Sequence, residues 1–296
     1  MLVARATKTL GSARFATSLV FAPGVWMSII ERAKLTLDTR FAPAERGPAR
    51  EGTCLYLIRR GTIVLGGERF DGPVAFALSE SQMEGARGVR TTTFLTCGTP
   101  FEAIELHLSE ADVQARPKQA PARLEVDDAT WDAVARTINL ARATAGDAEP
   151  LVDAALELLR VLAAERHLAA RVVESARRPL KFEKLWRAAR PLAERFALSA
   201  TIDELGALSG ASSRSLDRYL RSFFETFAMI GGGWRPAMVH LRLKLAVMFL
   251  SAEGVTVSQV AAAVGYGSAD AMARAFRDAG LPAPITLRES IVPSQA

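Results

Sequence analysis

Apolar positions along the chain change their period twice. Between residues 15 and 110 they fall in short runs rich in branched and aromatic side chains: Phe15–Phe21, Trp26–Ile30, Lys34–Asp38, Cys54–Ile58, Thr62–Leu65, Val74–Leu78, Thr91–Leu95 and Glu102–Leu108. Pro23-Gly24, Gly47-Pro48, Gly66-Gly67, Gly72-Pro73 and Gly98-Thr99-Pro100 separate them, and each can supply a turn or fix φ. Many short strands at this spacing predict an antiparallel β-barrel or sandwich, which hides its edges and can enclose a cavity.

Beyond Arg116–Pro121 the period becomes helical. Asp127–Ala143 carries Trp131, Val134 and Ile138 at spacings of three and four, with Asp127 and Asp128 suited to its start. A break at Gly146–Pro150 precedes Leu151–Ala164, whose Leu151, Ala155, Leu158, Leu159 and Leu162 share one side. Pro179 and Pro191 are expected to divide the next stretch into shorter helices. This apolar helix pair can serve as a dimerisation surface or as the lid of the β region's own core; the pattern leaves both open.

The last ninety or so residues spell one plan twice. Val257, Val260, Ala261 and Val264 make a small apolar stripe, Gly265 ends that short helix, and Ser268 caps a second helix with Met272 and Phe276 inward. Ile202, Leu205 and Leu208, then Gly210, then Ser212 or Ser213, then Leu216 and Leu220 repeat it. Gly206 takes the close-contact position that Ala261 holds in the second copy. Both read as helix-turn-helix units. Between them Pro236 suits a helix start, and Met238, Leu241, Leu245, Met248 and Phe249 form one apolar face. A linker helix of this length is stiff enough to hold two recognition helices one duplex turn, about 34 Å, apart.

Charge is spread unevenly. The formal net charge of +5 resides in residues 177–296, concentrated at Arg177, Arg178, Lys181, Lys184, Arg187, Arg190 and Arg195. The segment 199–290 is nearly neutral, so DNA binding there must come from where its arginines point. With 49% hydrophobic and 23% charged residues the chain reads as soluble and folded, no membrane helix or secretory signal is expected, and the cytoplasm is the default. Cys54 and Cys97 do not make a disulfide scaffold and leave a redox pair as an open option; His107, His167 and His240 are widely scattered, so no metal is expected. No G-x-S-x-G, P-loop or dinucleotide fingerprint occurs, and neither an enzyme nor a cofactor is expected.

On these residues the stretch from about Glu194 to Glu289 resembles the DNA-binding domain of AraC-type transcription regulators. The resemblance is most specific at Val260-Ala261-Ala262-Ala263-Val264-Gly265-Tyr266 with Arg274-Ala275-Phe276, and extends to Leu241-Arg242-Leu243, Ala246 and Leu250 of the linker. Met272 stands where the family usually has an aromatic residue, Gly231-Gly232-Gly233 precedes the linker, and Gly280-Leu281-Pro282-Ala283-Pro284 matches the closing motif with an insertion.

The resulting expectation is an α+β chain. A β-rich domain at 10–115, cupin-like if the resemblance holds, precedes a helical connector at 125–192 and an all-α double helix-turn-helix domain at 194–290. Candidate DNA contacts are Ser213, Arg214, Asp217, Arg218 and Arg221 in the first unit, Arg235 and Arg242 on the linker, and Ser268, Ala269, Asp270, Arg274 and Arg277 in the second. Arg214 is the expected base reader, because a guanidinium pairs bidentately with guanine. Trp26, Phe41, Tyr56, Arg59 and Phe76 are candidates for an effector site. Partners are double-stranded DNA and a second copy of the chain, with a small-molecule effector and RNA polymerase as open options. A rival reading is an interaction module that keeps the helical fold without specific DNA binding.

Overall fold

The computed structural model describes residues 1–41, 52–65, 67–79, 94–114, 122–142, 148–194, 200–227 and 233–291. The turn expected at Gly47-Pro48, Gly66, Thr91 to Thr93, all of Arg116–Pro121, Gly146, Arg195, Gly231 and Gly232 lie outside them, as does the side chain of Cys97.

Among the described residues nine strands form one antiparallel sheet: β1 Leu2–Leu10, β2 Ala13–Ala22, β3 Val25–Ala33, β4 Leu37–Asp38, β5 Gly52–Leu65, β6 Glu68–Asp71, β7 Val74–Ser79, β8 Phe94–Ser109 and β9 Ala122–Leu124. Their spatial order is β1-β2-β3-β8-β5-β7-β9, with β4 attached to β8 and β6 to β5. Two of the expected boundaries dissolve. Cys54–Ile58 and Thr62–Leu65 are halves of β5, and Gly98-Thr99-Pro100 runs inside β8. The register explains both: Arg60 pairs with Glu102 and Thr62 with Cys97, so Gly98 to Phe101 bulge opposite Gly61 and Pro100 forfeits no ladder bond on that side. Conversely, the strand expected at Lys34–Asp38 shrinks to its last two residues, because Lys34 adopts a left-handed φ of 55° that ends β3's course.

Strand alternation sorts the sheet into two faces. Val3, Val20, Met27, Ile29, Leu55, Leu57, Ala75, Ala77, Ile104 and Leu106 point to one, where α1 Asp128–Arg142, α2 Glu149–Ala164 and α3 Ala170–Ala176 cover them. Val134, Ile138, Leu151, Ala155, Leu158, Leu159 and Leu162 are completely buried there. The apolar helix pair is therefore the lid of the sheet's core. Each buried leucine contributes about 1.5–3 kcal/mol relative to exposure, and the stripe is no longer available as a dimer surface.

The other face receives the rest of the chain. α4 Glu183–Glu194 continues through Pro191 rather than breaking at it; the lost amide costs one hydrogen bond, while Leu192 one residue later is buried and holds the last turn down. α5 Ile202–Ser209, α6 Ser213–Thr226, α7 Trp234–Leu250, α8 Val257–Ala263, α9 Ala269–Asp278 and α10 Pro284–Ile291 complete the described helices. The single apolar face expected on α7 holds only for its first half. From Leu243 to Leu250 every residue but Lys244 is buried, because α7 lies between the sheet and α8 to α10.

Candidate nucleic-acid interface

Local chemistry builds each helix-turn-helix. In the first, Thr201 caps α5 by accepting from the Glu204 amide, Gly210 takes the left-handed turn at φ 63°, and Ser212 rather than Ser213 caps α6 by accepting from the Ser215 amide. Gly206 allows the close crossing: a Cβ there would stand 3.4 Å from the Ala211 carbonyl and from Leu216. In the second, Thr256 and Gln259 form a reciprocal capping box at the start of α8, Gly265 turns at φ 84°, and Ser268 caps α9 by accepting from the Ala271 amide.

The two second helices present different chemistry. On α6, Ser213, Arg214, Arg218 and Arg221 are exposed; Arg221 is held to Asp217 one turn back, and Arg218 leans over the Tyr219 ring at 5.7 Å. Arg214, in the first turn, has no partner among the described residues, so its guanidinium is available to a ligand. Ser213 is 3.4 Å from Asp203. On α9 the first turn offers Ser268, which is engaged as the cap, half-buried Ala269 and exposed Asp270. Arg274 and Arg277 are exposed and without partners among the described residues. On α7, Arg235 is exposed, whereas Arg242 is half-buried with its guanidinium 5.7 Å from the Tyr266 ring. Burial pushes the Tyr266 phenol above its ordinary pKa of 10.0, against the opposing pull of Arg242.

Both units rest on the same β-hairpin, which the sequence did not reveal. At one end Phe21 of β2 makes edge contacts with Trp186 of α4 and with Phe223 and Phe227 of the first unit, at centroid distances of 5.1, 5.1 and 4.9 Å. The Trp186 indole donates to the Val3 carbonyl at 3.1 Å. At the other end the turn meets the second unit: Val255, just ahead of α8, lies 3.4 Å from where a Gly11 Cβ would be, and Ala13, Leu35 and Leu37 share a buried cluster with α7 to α10. From the neighbouring β3–β4 connection the Thr36 amide donates to Ser251 at 2.9 Å. α7 runs between the same two units. Its Trp234 donates to the Ala200 carbonyl at 2.8 Å beside α5, and its buried half belongs to the second unit's core. Ten residues of β2 span at most about 33 Å, and seventeen of α7 about 26 Å. Two struts of similar length thus link one pair of units.

The effector candidates separate. Trp26, Tyr56 and Phe76 lie on the face turned to the C-terminal helices, Tyr56 and Phe76 fully in the core and Trp26 stacked on His107 at 3.8 Å. Phe41 packs at the edge of that core. Arg59 instead bonds Glu102 at 2.8 Å. Next to Trp26, burial acts to raise the Glu105 carboxyl's pKa, but His107, Lys244 of α7 and Arg32 outweigh it and hold the group below the ordinary glutamate value. Cys54 is buried, 3.8 Å from His107 Nε2. Among the described residues no cluster of metal-ligating side chains occurs, and no helix is long and apolar enough to cross a membrane.

No protein-family model and no curated protein matches the chain. Among solved structures, ToxT from Vibrio cholerae is similar at 8% identity and a TM-score of 0.37, over 92% of this chain and 100% of that one. The form of ToxT bound to an unsaturated fatty acid gives 8% and 0.36, over 92% and 97%. The AraC-like transcriptional activator CuxR gives 14% and 0.30, over 85% and 88%. At identities and scores this low, function has to be decided by the residues of this chain and their geometry.

Proposed function

We propose that the chain is a sequence-specific, DNA-binding transcription regulator of the AraC type, reading two successive major grooves with α6 and α9. The observation that carries this is the duplicated, fully capped helix-turn-helix pair joined by both α7 and the β1–β2 hairpin. In this reading α6 specifies the site: Arg214 reaches a base edge, and Arg218 and Arg221 meet phosphate. α9 anchors, with Ser268, Ala269 and Asp270 near base edges and Arg274 and Arg277 on the backbone, while Arg235 in the first turn of α7 and Arg242 at its middle serve phosphates between the units. One chain supplies both reading units, and a homodimer, a small effector or a contact to RNA polymerase would modulate rather than create the activity.

Recovery of DNA bound by the full chain from a random library tests this. The expected result is a bipartite site with halves about 10–10.5 base pairs apart and binding that weakens steeply with salt. No enrichment, or one undivided half-site, would overturn it. A second reading has one observation in its favour: Asp270 stands exposed in the first turn of α9, where it opposes phosphate. An interaction module with this fold would show no enrichment and no salt dependence.

A further inference from the structure

We propose an oxyanion-binding site in the crevice between the middle of the β1–β2 hairpin and the C-terminal end of α1. The crevice measures about 20 Å³, room for one small ion or the head of a larger one, and is open to solvent on one side. Arg5, Arg14, Glu31 and Arg142 line it, with Thr7, Thr17 and Ser18.

Its charge is unbalanced. Glu102, fully buried, accepts from Arg142 at 2.6 Å and Arg59 at 2.8 Å and has Arg60 at 3.6 Å. Glu31 accepts from Arg142 at 2.8 Å and has Arg14 at 4.0 Å. Two carboxylates are thus shared among four guanidinium groups before Arg5 is reached. Arg5 projects from β1 on the same face, and its Nε is buried with no hydrogen-bond partner among the described residues. The Ala141 carbonyl at the end of α1 takes Ser18 at 3.4 Å and so is already engaged. A buried cationic donor without an acceptor is costly, and the group that relieves it is an anion with more than one oxygen, since guanidinium pairs best with planar or tetrahedral oxyanions.

Carboxylate and phosphate share this chemistry, and the open side of the crevice lets either place one or two oxygens inside while the rest faces solvent. Occupation would tie β1 to α1. Since β1 also carries the carbonyl that holds Trp186, the ligand would act on the hairpin that supports both helical units. The site stands independently of the DNA-reading proposal, because its test contains no DNA.

Calorimetric titration of the full chain with sodium phosphate, acetate and chloride at constant ionic strength provides that test. The expected result is saturable binding of phosphate or acetate, at least tenfold weaker in Arg5→Gln and partly restored in Arg5→Lys, with chloride weaker than both; which oxyanion binds tighter identifies the source. Arg160→Gln, in an exposed pair with Glu157 on α2 and outside both the lining and its ion-pair network, is expected to bind as the parent does. Melting curves identify variants that fail to fold, and for those Thr7→Val replaces Arg5→Gln, with the same loss expected. Absence of saturable binding by either oxyanion, or equal binding in folded Arg5→Gln, would overturn the proposal.

Discussion

The two helix-turn-helix units share a plan but are supported differently. The first is held by aromatic edges around Phe21 in a cluster of its own, with Leu2, Phe182, Phe223, Phe224 and Phe227. The second is continuous with the sheet's inner core through Phe249, Val260, Met272 and Phe276, all but fully buried. Their first turns differ in surface chemistry. The lightly anchored unit opens on Arg214, with Arg218 and Arg221 further along, while the embedded one opens on Ala269 and Asp270, with Arg274 and Arg277 further along. In the proposed reading, firm anchoring and base reading fall on different copies of one motif, and the β1–β2 hairpin touches both.

Damage should therefore fall unequally on the two units. Phe21→Ala removes the ring that meets α4 and the first unit, and is expected to cost about 3–5 kcal/mol in denaturant unfolding. A loss below about 1 kcal/mol would mean that the first unit is held elsewhere. Arg214→Ala should lower discrimination at one half-site by about 1–3 kcal/mol with the second half-site intact; competition binding against single-base variants reads this. Ser268→Ala removes the α9 cap and should cost about 1 kcal/mol in stability while leaving base preference unchanged. If instead it abolishes preference and Arg214→Ala does not, reader and anchor are exchanged.

The smallest effect concerns acid. Because the native surroundings hold Glu105 below 4.5, its ordinary value, its ionised form stabilises the fold above that pH. The contribution is lost as pH falls through the lower native value. Glu105→Gln should therefore be less stable at neutral pH and show a shallower loss of stability below pH 4.5; identical pH profiles would remove Glu105 from the contact between β8 and α7.

Periodicity and caps were enough to place the helical units. Gly210, Ser212, Gly265 and Ser268 act within a few residues of where they stand, so their roles are local and readable. β1 was missed because Val3, Arg5 and Thr7 on one face and Leu2, Ala4 and Ala6 on the other include few branched or aromatic side chains, so its alternation is weak. The hairpin's supporting role was beyond reach for another reason. Val3 with Trp186, and Gly11 with Val255, are pairs that no local pattern joins. The unbroken course of β8 through Pro100 depended likewise on register with β5, which a single strand does not encode.

If the hairpin and α7 together fix the separation of α6 and α9, that separation must be both sharp and sensitive to the hairpin. Spin labels at Arg218→Cys and Arg277→Cys, in a Cys97→Ser background, report it directly by pulsed dipolar spectroscopy. A single narrow distance near one duplex turn, about 34 Å, broadening when Phe21→Ala loosens the hairpin, is the predicted result. A broad distribution in the parent, or a narrow one indifferent to Phe21→Ala, would contradict it.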